Sequence, residues 1–570
     1  MTAPPRPSRV VHPTVRRPRG VRAAPAPTRP WPLRLLVVAA LVVVTGCTGG
    51  SGGQDRPAST DGSGGGGASQ GRRGGTLSIA LLDPGPLDPA RADGLEDEVV
   101  LGNLFDGLTA IDPSGAVRPS GAVRPSVAAT WTSDPDLRRW EFHLRPEARW
   151  SDGSPVRSTD FTYAWQRLAD PRTKPRPSST ARTLLSNVTG YRAFAAGKAR
   201  KLTGLEAPDP ATLVVQLDHP FADLPALVAA LPLSPLPSAL VRPNPAAYLA
   251  EPAGNGPFRL AAPTRPGRPL TLDRNPAFWG TPTLLDRISV HVAPDEQTAW
   301  LELQNGRVAF APVPLDQLAA ARTLYGPSAD GRTAPGVLQG PTLTTWQLTF
   351  NLKSKLGRDP RWRQAVSLGI DRDRLAEALA GAPASSLVPP GTPGIAGVGS
   401  GGGTGGGDPA CRVCAHDPGE ARALLAKVKG GRGPVTLAVP EGADARRIAT
   451  LLAADLATVG IKAAPSSAPE GGTTVTLVPG FAPYPRPDPF LAGPFTVGPD
   501  EQRLLDQARA TPDGPTRATR YQQAEAAILA DLPATPLVTE HQAAVLTPGP
   551  QGVNLTPWNT LDLAAVSLPA

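Results

Sequence analysis

The chain of 570 residues has three cysteines, one methionine and six histidines, and only 5% of its residues are aromatic. Five histidines lie beyond residue 47, namely His143, His219, His291, His416 and His541. No two of them stand at metal-ligand spacing, and an H-E-x-x-H pair is missing. There is no G-x-S-x-G nucleophile elbow. The glycine-rich stretch 394–407 lacks the Gly-Lys-Ser/Thr ending of a phosphate-cradling loop. The signatures of zinc hydrolases, α/β-hydrolases and P-loop enzymes are therefore absent. A triad assembled from distant segments leaves no such trace, but nothing in the sequence requires an enzyme. No apolar run reaches 18 residues, whereas a spanning helix needs about 20.

Acid is missing from the first 46 residues, where all eight bases are arginines. That imbalance accounts for the whole net charge of +8, because the remaining 49 bases face 49 acids. A nucleic-acid binder needs a basic face that displaces counterions from phosphate. Here the basicity belongs to the leader, and no nucleic-acid partner is expected.

What the chain does contain is apolar material, at 40% of its residues, enough for a large buried core. The 60 glycines and 70 prolines concentrate in tails, tethers and loops around it. The leader carries ten apolar residues, Leu35–Val44, the length of a signal-peptide h-region. It ends Val44-Thr45-Gly46-Cys47, which resembles the bacterial lipobox whose cysteine is lipid-modified; the plainer reading is an ordinary secretory signal with an incidental Cys47. Arg16-Arg17 lies too far from the apolar run for a twin-arginine signal. Residues 48–75 are rich in Gly and Ser and read as a flexible tether. Cys411 and Cys414 form a C-x-x-C pair: a disulfide in an oxidising compartment, with a zinc site or a redox pair as the alternatives.

Alternating strands and amphipathic helices mark the body. Gly74–Ala80 reads as a strand, Leu87-Asp88-Pro89 as a turn, and Asp93, Glu96, Asp97 and Glu98 as an acidic helix start. Trp140–Leu144 alternates apolar and polar residues. Ser158 is placed to cap a helix whose Phe161, Ala164, Trp165 and Leu168 share one face. Asp359, Asp371 and Asp417 are further caps. A strand at 435–439 and helices at about 443–459 and 515–531 follow. The tandem GAVRPS-GAVRPS at 115–126 is a duplicated turn, too short for a solenoid. Mixed strands and helices with long-range returns point to an α/β body of more than one lobe.

Residues 140–171 (WEFHLRPEARWSDGSPVRSTDFTYAWQRLADP) carry a resemblance to a known family. So do Asn103–Leu108, Gly254–Phe258, Arg274–Trp279, Arg361–Asp371, Asp417–Leu425 and Tyr521–Pro536, in order along the chain. Together they resemble the extracytoplasmic solute-binding proteins of ABC importers, in the oligopeptide- and dipeptide-binding family 5. The resemblance implies an α/β fold of the type II periplasmic-binding-protein class with three lobes. Lobe I is expected from 76–113, 205–299 and 541–570, lobe II from 114–204, and lobe III from 300–540, after a signal peptide (1–46) and a tether (47–75). The ligand would lie between lobes I and III, which close on a hinge.

The resemblance further implies a lipid-anchored monomer on the outer face of the cell membrane, with no cofactor. It would hand a peptide or peptide-like solute to permease subunits. In such proteins an extended peptide pairs its main chain with both lobes. The matching segments are Asp93-Gly94-Leu95 and Gly480-Phe481-Ala482-Pro483-Tyr484. The sequence departs from the pattern there. Pro483 stands where peptide binders carry the aspartate that holds the amino group, Phe481 replaces a tryptophan, and Val478 a base. Asp488 is the nearby candidate to substitute. The eroded anchor leaves open a second reading, a binding fold reused as a non-transport surface sensor or assembly factor. Trp150, Trp165, Trp279 and Trp362 read as packing residues, and Asp152 as a turn former.

Overall fold

The computed structural model describes residues 73–92, 94–112, 122–264, 268–395, 411–467, 475–493, 495–556 and 561–569. The leader, Cys47, the tether, Asp93, most of the tandem repeat and most of the glycine-rich loop lie outside them.

Eleven strands among the described residues form one mixed sheet. At one end Thr76–Leu81 runs parallel to Arg287–Val292, which continues antiparallel into Leu270–Arg274 and Phe258–Leu260. At the other end Val435–Ala438 lies parallel to Ala463–Ser466 and to the start of Val475–Phe481. The two ends meet at two long strands, Gly336–Phe350 and Ala534–Leu546. Leu546, Val545 and Ala544 also pair with Phe310–Pro312, which joins Thr76–Leu81 through Ile79. A separate four-stranded antiparallel sheet contains Ala128–Ser133, Arg139–Leu144, Thr212–Gln216 and Leu205–Asp209.

The local reasons for these elements are those of the sequence. In Arg139–Leu144 the apolar Trp140, Phe142 and Leu144 are buried while Arg139 and His143 are exposed. Helix Ser158–Ala169 buries Phe161, Ala164, Trp165 and Leu168 on one face. Its cap differs from expectation. Ser158 is already the first helical residue, and its hydroxyl donates to the Asp209 carbonyl at 2.5 Å. Asp160 does the capping instead: one oxygen accepts from the Arg157 N–H at 3.0 Å, the other from the Ser238 N–H at 3.1 Å. Asp359, Asp371 and Asp417 do cap their helices, each accepting a main-chain N–H two or three residues on. Helices Ala443–Thr458 and Gly514–Asp531 occupy the expected stretches. Cys411 and Cys414 are joined by a disulfide, with their Cα atoms 5.4 Å apart. Trp150, Trp165 and Trp362 are fully buried, and Trp279 is partly so, beneath the Arg145 guanidinium.

Four apolar clusters stand out among the described residues. The largest spans both sheets, from Leu77 and Ile79 to Phe142, Trp165 and Leu233. Another lies under helix Ala443–Thr458. A third packs Leu505 and Ala508 of Pro499–Arg509 against Tyr521, Ala524 and Ile528 of Gly514–Asp531. No helix among the described residues is long and apolar enough to cross a membrane.

One buried ion pair fixes the first turn to the second sheet's helix. Arg167 grips Asp88 with two parallel bonds of 2.9 and 2.6 Å, and Asp88 is wholly inaccessible. Asp88 also receives the Ala90 N–H at 3.2 Å. Replacing Arg167 by alanine strands a buried carboxylate, a change that costs about 3–5 kcal/mol. Denaturant unfolding of Arg167→Ala should show a loss of that size; a loss below about 1 kcal/mol, the range of an exposed pair, would show that this contact does not hold the turn.

Candidate functional site

Helix Leu95–Leu104 ends in the segment Asn103–Leu108, and the turn Gly254–Phe258 is laid directly against it. A Cβ on Gly254 would overlap the Leu104 carbonyl, and the Gly256 N–H donates to that carbonyl at 2.9 Å. Only glycine permits this approach. Between the two glycines, Asn255 clasps the main chain of Asp106. Its Oδ1 accepts the Asp106 N–H at 3.0 Å, and its Nδ2 donates to the Asp106 carbonyl at 3.0 Å. Asn255 is fully buried. The clasp leaves the Asp106 carboxylate free to face a cavity of about 560 Å³, within the size range of small-ligand sites.

Two walls from distant parts of the chain make this cavity. One comes from Glu98, Asn103, Phe105 to Gly107, Ala229 to Leu231 and Phe278, with Arg124, Leu561 and Asp562 beside them. The other is the segment Phe481 to Pro485. That segment leaves the strand Val475–Phe481, whose Gly480 faces Thr345 and whose Phe481 faces Thr344. A Cβ on Gly480 would come within 2.6 Å of the Thr345 carbonyl, so this glycine serves close strand pairing. Phe481 is 44% exposed. Tyr484 is buried and packs into the large core of the opposite wall.

The sequence-expected contacts divide accordingly. Phe481, Ala482 and Tyr484 stand in the cavity wall, together with Pro483. Gly480 and Gly94 are not among the lining residues; Gly94 is the N-cap of helix Leu95–Leu104. Asp93 and the Leu95 side chain lie outside the described residues. Asp488 is committed elsewhere: its carboxylate accepts from Arg509 Nε at 2.7 Å. It borders a second, larger cavity of about 960 Å³, which shares Phe481, Pro483 and Tyr484 with the first and is otherwise walled mainly by apolar residues such as Leu184, Val188 and Leu217.

The acids that do face the first cavity are Glu98, Asp106 and Asp562. Burial pushes the Glu98 carboxyl up to about 7, and the Asp97 carboxylate adds to the shift. Burial likewise raises Asp106 to about 7 against the pull of Arg124. Asp562 is raised by burial too, offset in part by the Ala564 N–H and Arg124, with Asp112 pushing the other way. Arg124 thus offsets two of these three carboxyls, Asp106 and Asp562, and burial raises all three, an arrangement that favours a cation. No group of three or more His, Cys, Asp or Glu side chains among the described residues converges as metal ligands would.

Sequence reading missed these acids as ligand contacts. Glu98 was legible only as a helix-start acid, and Asp106 only as part of a recurring segment. The available signal was the pairing of Asn103–Leu108 with Gly254–Phe258, two motifs 150 residues apart that meet at Asp106.

Comparison with known proteins follows the same geometry. The family profile described as bacterial extracellular solute-binding proteins, family 5 Middle, matches residues 122–500. The periplasmic oligopeptide-binding protein OppA of Salmonella typhimurium is 30% identical over 319 residues, 54% of this chain and 55% of that protein. The periplasmic murein peptide-binding protein MppA of Escherichia coli is 30% identical over 305 residues, 52% of this chain and 53% of that one. The chain thus spans about half the length of these curated relatives. Over the whole fold, the unliganded open form of MppA superposes with a TM-score of 0.68 at 24% identity, covering 88% of this chain and 99% of that one. The mixed α/β architecture is that of the type II periplasmic-binding-protein class, and the chain belongs to the bacterial extracellular solute-binding proteins of family 5.

Proposed function

We propose that this chain is the extracytoplasmic binding component of an ABC importer, capturing a peptide or peptide-like solute that carries an amino group. The observation that carries the reading is the cavity of about 560 Å³ between Asn103–Gly107 and Phe481–Pro485, with Glu98, Asp106 and Asp562 in its wall. The names of the two relatives above, an oligopeptide-binding and a murein peptide-binding protein, support the substrate class. In this reading the two ends of the large sheet belong to lobes I and III, the four-stranded sheet to lobe II, and the solute bridges lobes I and III. Contacts to both walls give the solute its preference for the closed arrangement, which the permease reads. Cys47 carries the lipid anchor, and residues 48–75 are the tether holding the body off the membrane.

The substrate's ammonium sits against the lobe I acids. Pro483 contributes no carboxylate and no main-chain N–H, so the Phe481–Pro485 wall offers an aromatic surface and a shortened row of donors. Main-chain recognition is correspondingly weaker, and charge carries more of the affinity than in a fully strand-paired peptide complex.

Native mass spectrometry of the folded protein should show co-purifying amine-bearing solutes that leave on unfolding. Titration calorimetry with peptide pools should show binding that N-acetylation weakens by about 10–100-fold, the worth of a charged hydrogen bond. Asp106→Asn should weaken it comparably, since the Asn255 clasp holds only the main chain. Equal affinity for acetylated and free peptides would sink the amine reading. A clean mass with no response to peptide pools would favour the non-transport reading.

The raised carboxyls also set a pH dependence. In the folded chain Glu98 and Asp106 hold their protons up to about 7, whereas the unfolded chain releases them near 4.5 and 3.8. The folded state therefore binds more protons across that window, and stability falls as pH rises through it. Their contribution is complete below pH 4 and lost above about 7. Thermal melts of the solute-free protein should show this decline, and Asp106→Asn should flatten it. Affinity for an amine should rise over the same interval, because binding requires the ionised acids. An unchanged pH slope in Asp106→Asn would remove this residue from the account.

A further inference from the structure

Asp223 is the N-cap residue of the short helix Leu224–Leu227 and is 3% exposed. Its sequence neighbours Phe221, Leu224, Ala226, Leu227 and Val228 all belong to the large core that contains Leu77 and Phe142. The side chains that bond its carboxylate come from elsewhere. Arg486 Nε lies 3.3 Å from Oδ1, Arg517 Nη2 lies 3.3 Å from the same oxygen, and the Tyr521 hydroxyl donates to Oδ2 at 3.5 Å. Tyr521 belongs to the separate core formed by Pro499–Arg509 and Gly514–Asp531. Beside this cluster the Ala222 N–H donates to the Arg509 carbonyl at 2.8 Å, and Arg509 in turn holds Asp488. A buried acid rooted in one core is thus held by two cations and a phenol rooted on the other side.

Asp223 lines neither cavity. Its partner Arg486 stands two residues after Tyr484, at the end of the segment that forms the second wall of the solute cavity. Holding Arg486 therefore holds Phe481 to Pro485 against Asp106 and Glu98. The acid pays desolvation in this arrangement, and its two cationic partners are on the other side. Separation of the walls would expose them to water together.

We propose that Asp223 is the closure latch of this binding protein, a positioning residue that touches no solute and sets the balance between closed and open arrangements through Arg486, Arg517 and Tyr521. The proposal rests on the reading of the chain as a protein that closes on its solute, but its test needs no solute. Loss of a charged hydrogen bond of this kind corresponds to about tenfold or more in a closing equilibrium.

The test is hydrogen exchange on the full chain without added solute, wild type against Asp223→Asn, with small-angle scattering on the same samples. The latch predicts about tenfold or faster exchange at the Ala222 amide and through residues 481–486. It also predicts a larger radius of gyration, while Thr76–Leu81 and Gly336–Phe350 keep their protection. Arg486→Gln removes the contact from the opposite side and should give the same local pattern; it serves where Asp223→Asn does not fold. A uniform rise in exchange across all strands, or a lower melting temperature with unchanged scattering and unchanged exchange at 481–486, would overturn the latch and leave Asp223 a structural residue. Failure to bind any peptide would overturn the importer reading and leave these solute-free measurements as they stand.

Discussion

The pairing of Gly336–Phe350 with Ala534–Leu546 is the constraint on which the rest of the structure depends. Among the described residues, every hydrogen-bonded path between the two ends of the large sheet runs through Ala534–Leu546, because there that strand alone joins Gly336–Phe350 to Phe310–Pro312. The pairing is not uniform. Its register breaks between Pro341 and Thr345, and again between Trp346 and Gln347. A bulge increases local twist and removes ladder bonds. The two ends of the sheet are therefore tied by chain and hydrogen bonds yet allowed to differ in orientation at the break. Thr342 spans it with a 3.2 Å bond to the Glu540 carbonyl. The cavity wall at Phe481–Pro485 follows directly from this arrangement, since its strand is the next neighbour of Gly336–Phe350 and faces it through Thr344 and Thr345.

Much of the local structure was legible in the sequence because it is decided by short-range chemistry. Asp359, Asp371 and Asp417 cap because a carboxylate two or three residues ahead of a free N–H needs nothing else. The strand at Trp140–Leu144 and the helix face of Phe161, Trp165 and Leu168 follow from periodicity. The cap at Ser158 shows the limit. Serine there satisfies the local rule, but Asp160 also has Ser238 to hold, and the Asp209 carbonyl attracts the Ser158 hydroxyl. The tertiary partner decides between two acceptable local solutions. The site shows the limit more sharply. Phe481, Ala482 and Tyr484 could be placed by analogy of order, whereas Asp106 acquires meaning only from Asn255, 149 residues away. Asp488 had the right chemistry and neighbourhood, and Arg509 takes it.

The three acids Asp88, Asp223 and Asp106 show how one side chain serves different ends. Asp88 meets an arginine in a closed two-bond grip within the core and acts as a rivet. Asp223 meets two arginines across the seam between two cores and joins parts that fold on separate apolar clusters. Asp106 meets none directly and feels Arg124 only as a field, so burial raises its pKa. The first two have arginine partners built in. The third has none, and its carboxylate faces the cavity.

That difference supplies the energetic logic of a binding protein. A carboxyl whose charge is uncompensated in the folded chain lowers stability near neutral pH, which a purely structural site would have no reason to keep. In the proposed reading the same uncompensated charge is what an incoming ammonium would meet, and the protein would then recover on binding the electrostatic energy it forgoes alone. In the proposed reading, moving the anionic contact from the position of Pro483 to Glu98, Asp106 and Asp562 would also change the order of events. The amine would be met by the wall built on the large core, and Phe481 and Tyr484 would then close over it. In that sequence the charged wall selects the solute, and the polar contacts at Asp223 hold the aromatic wall in place over it.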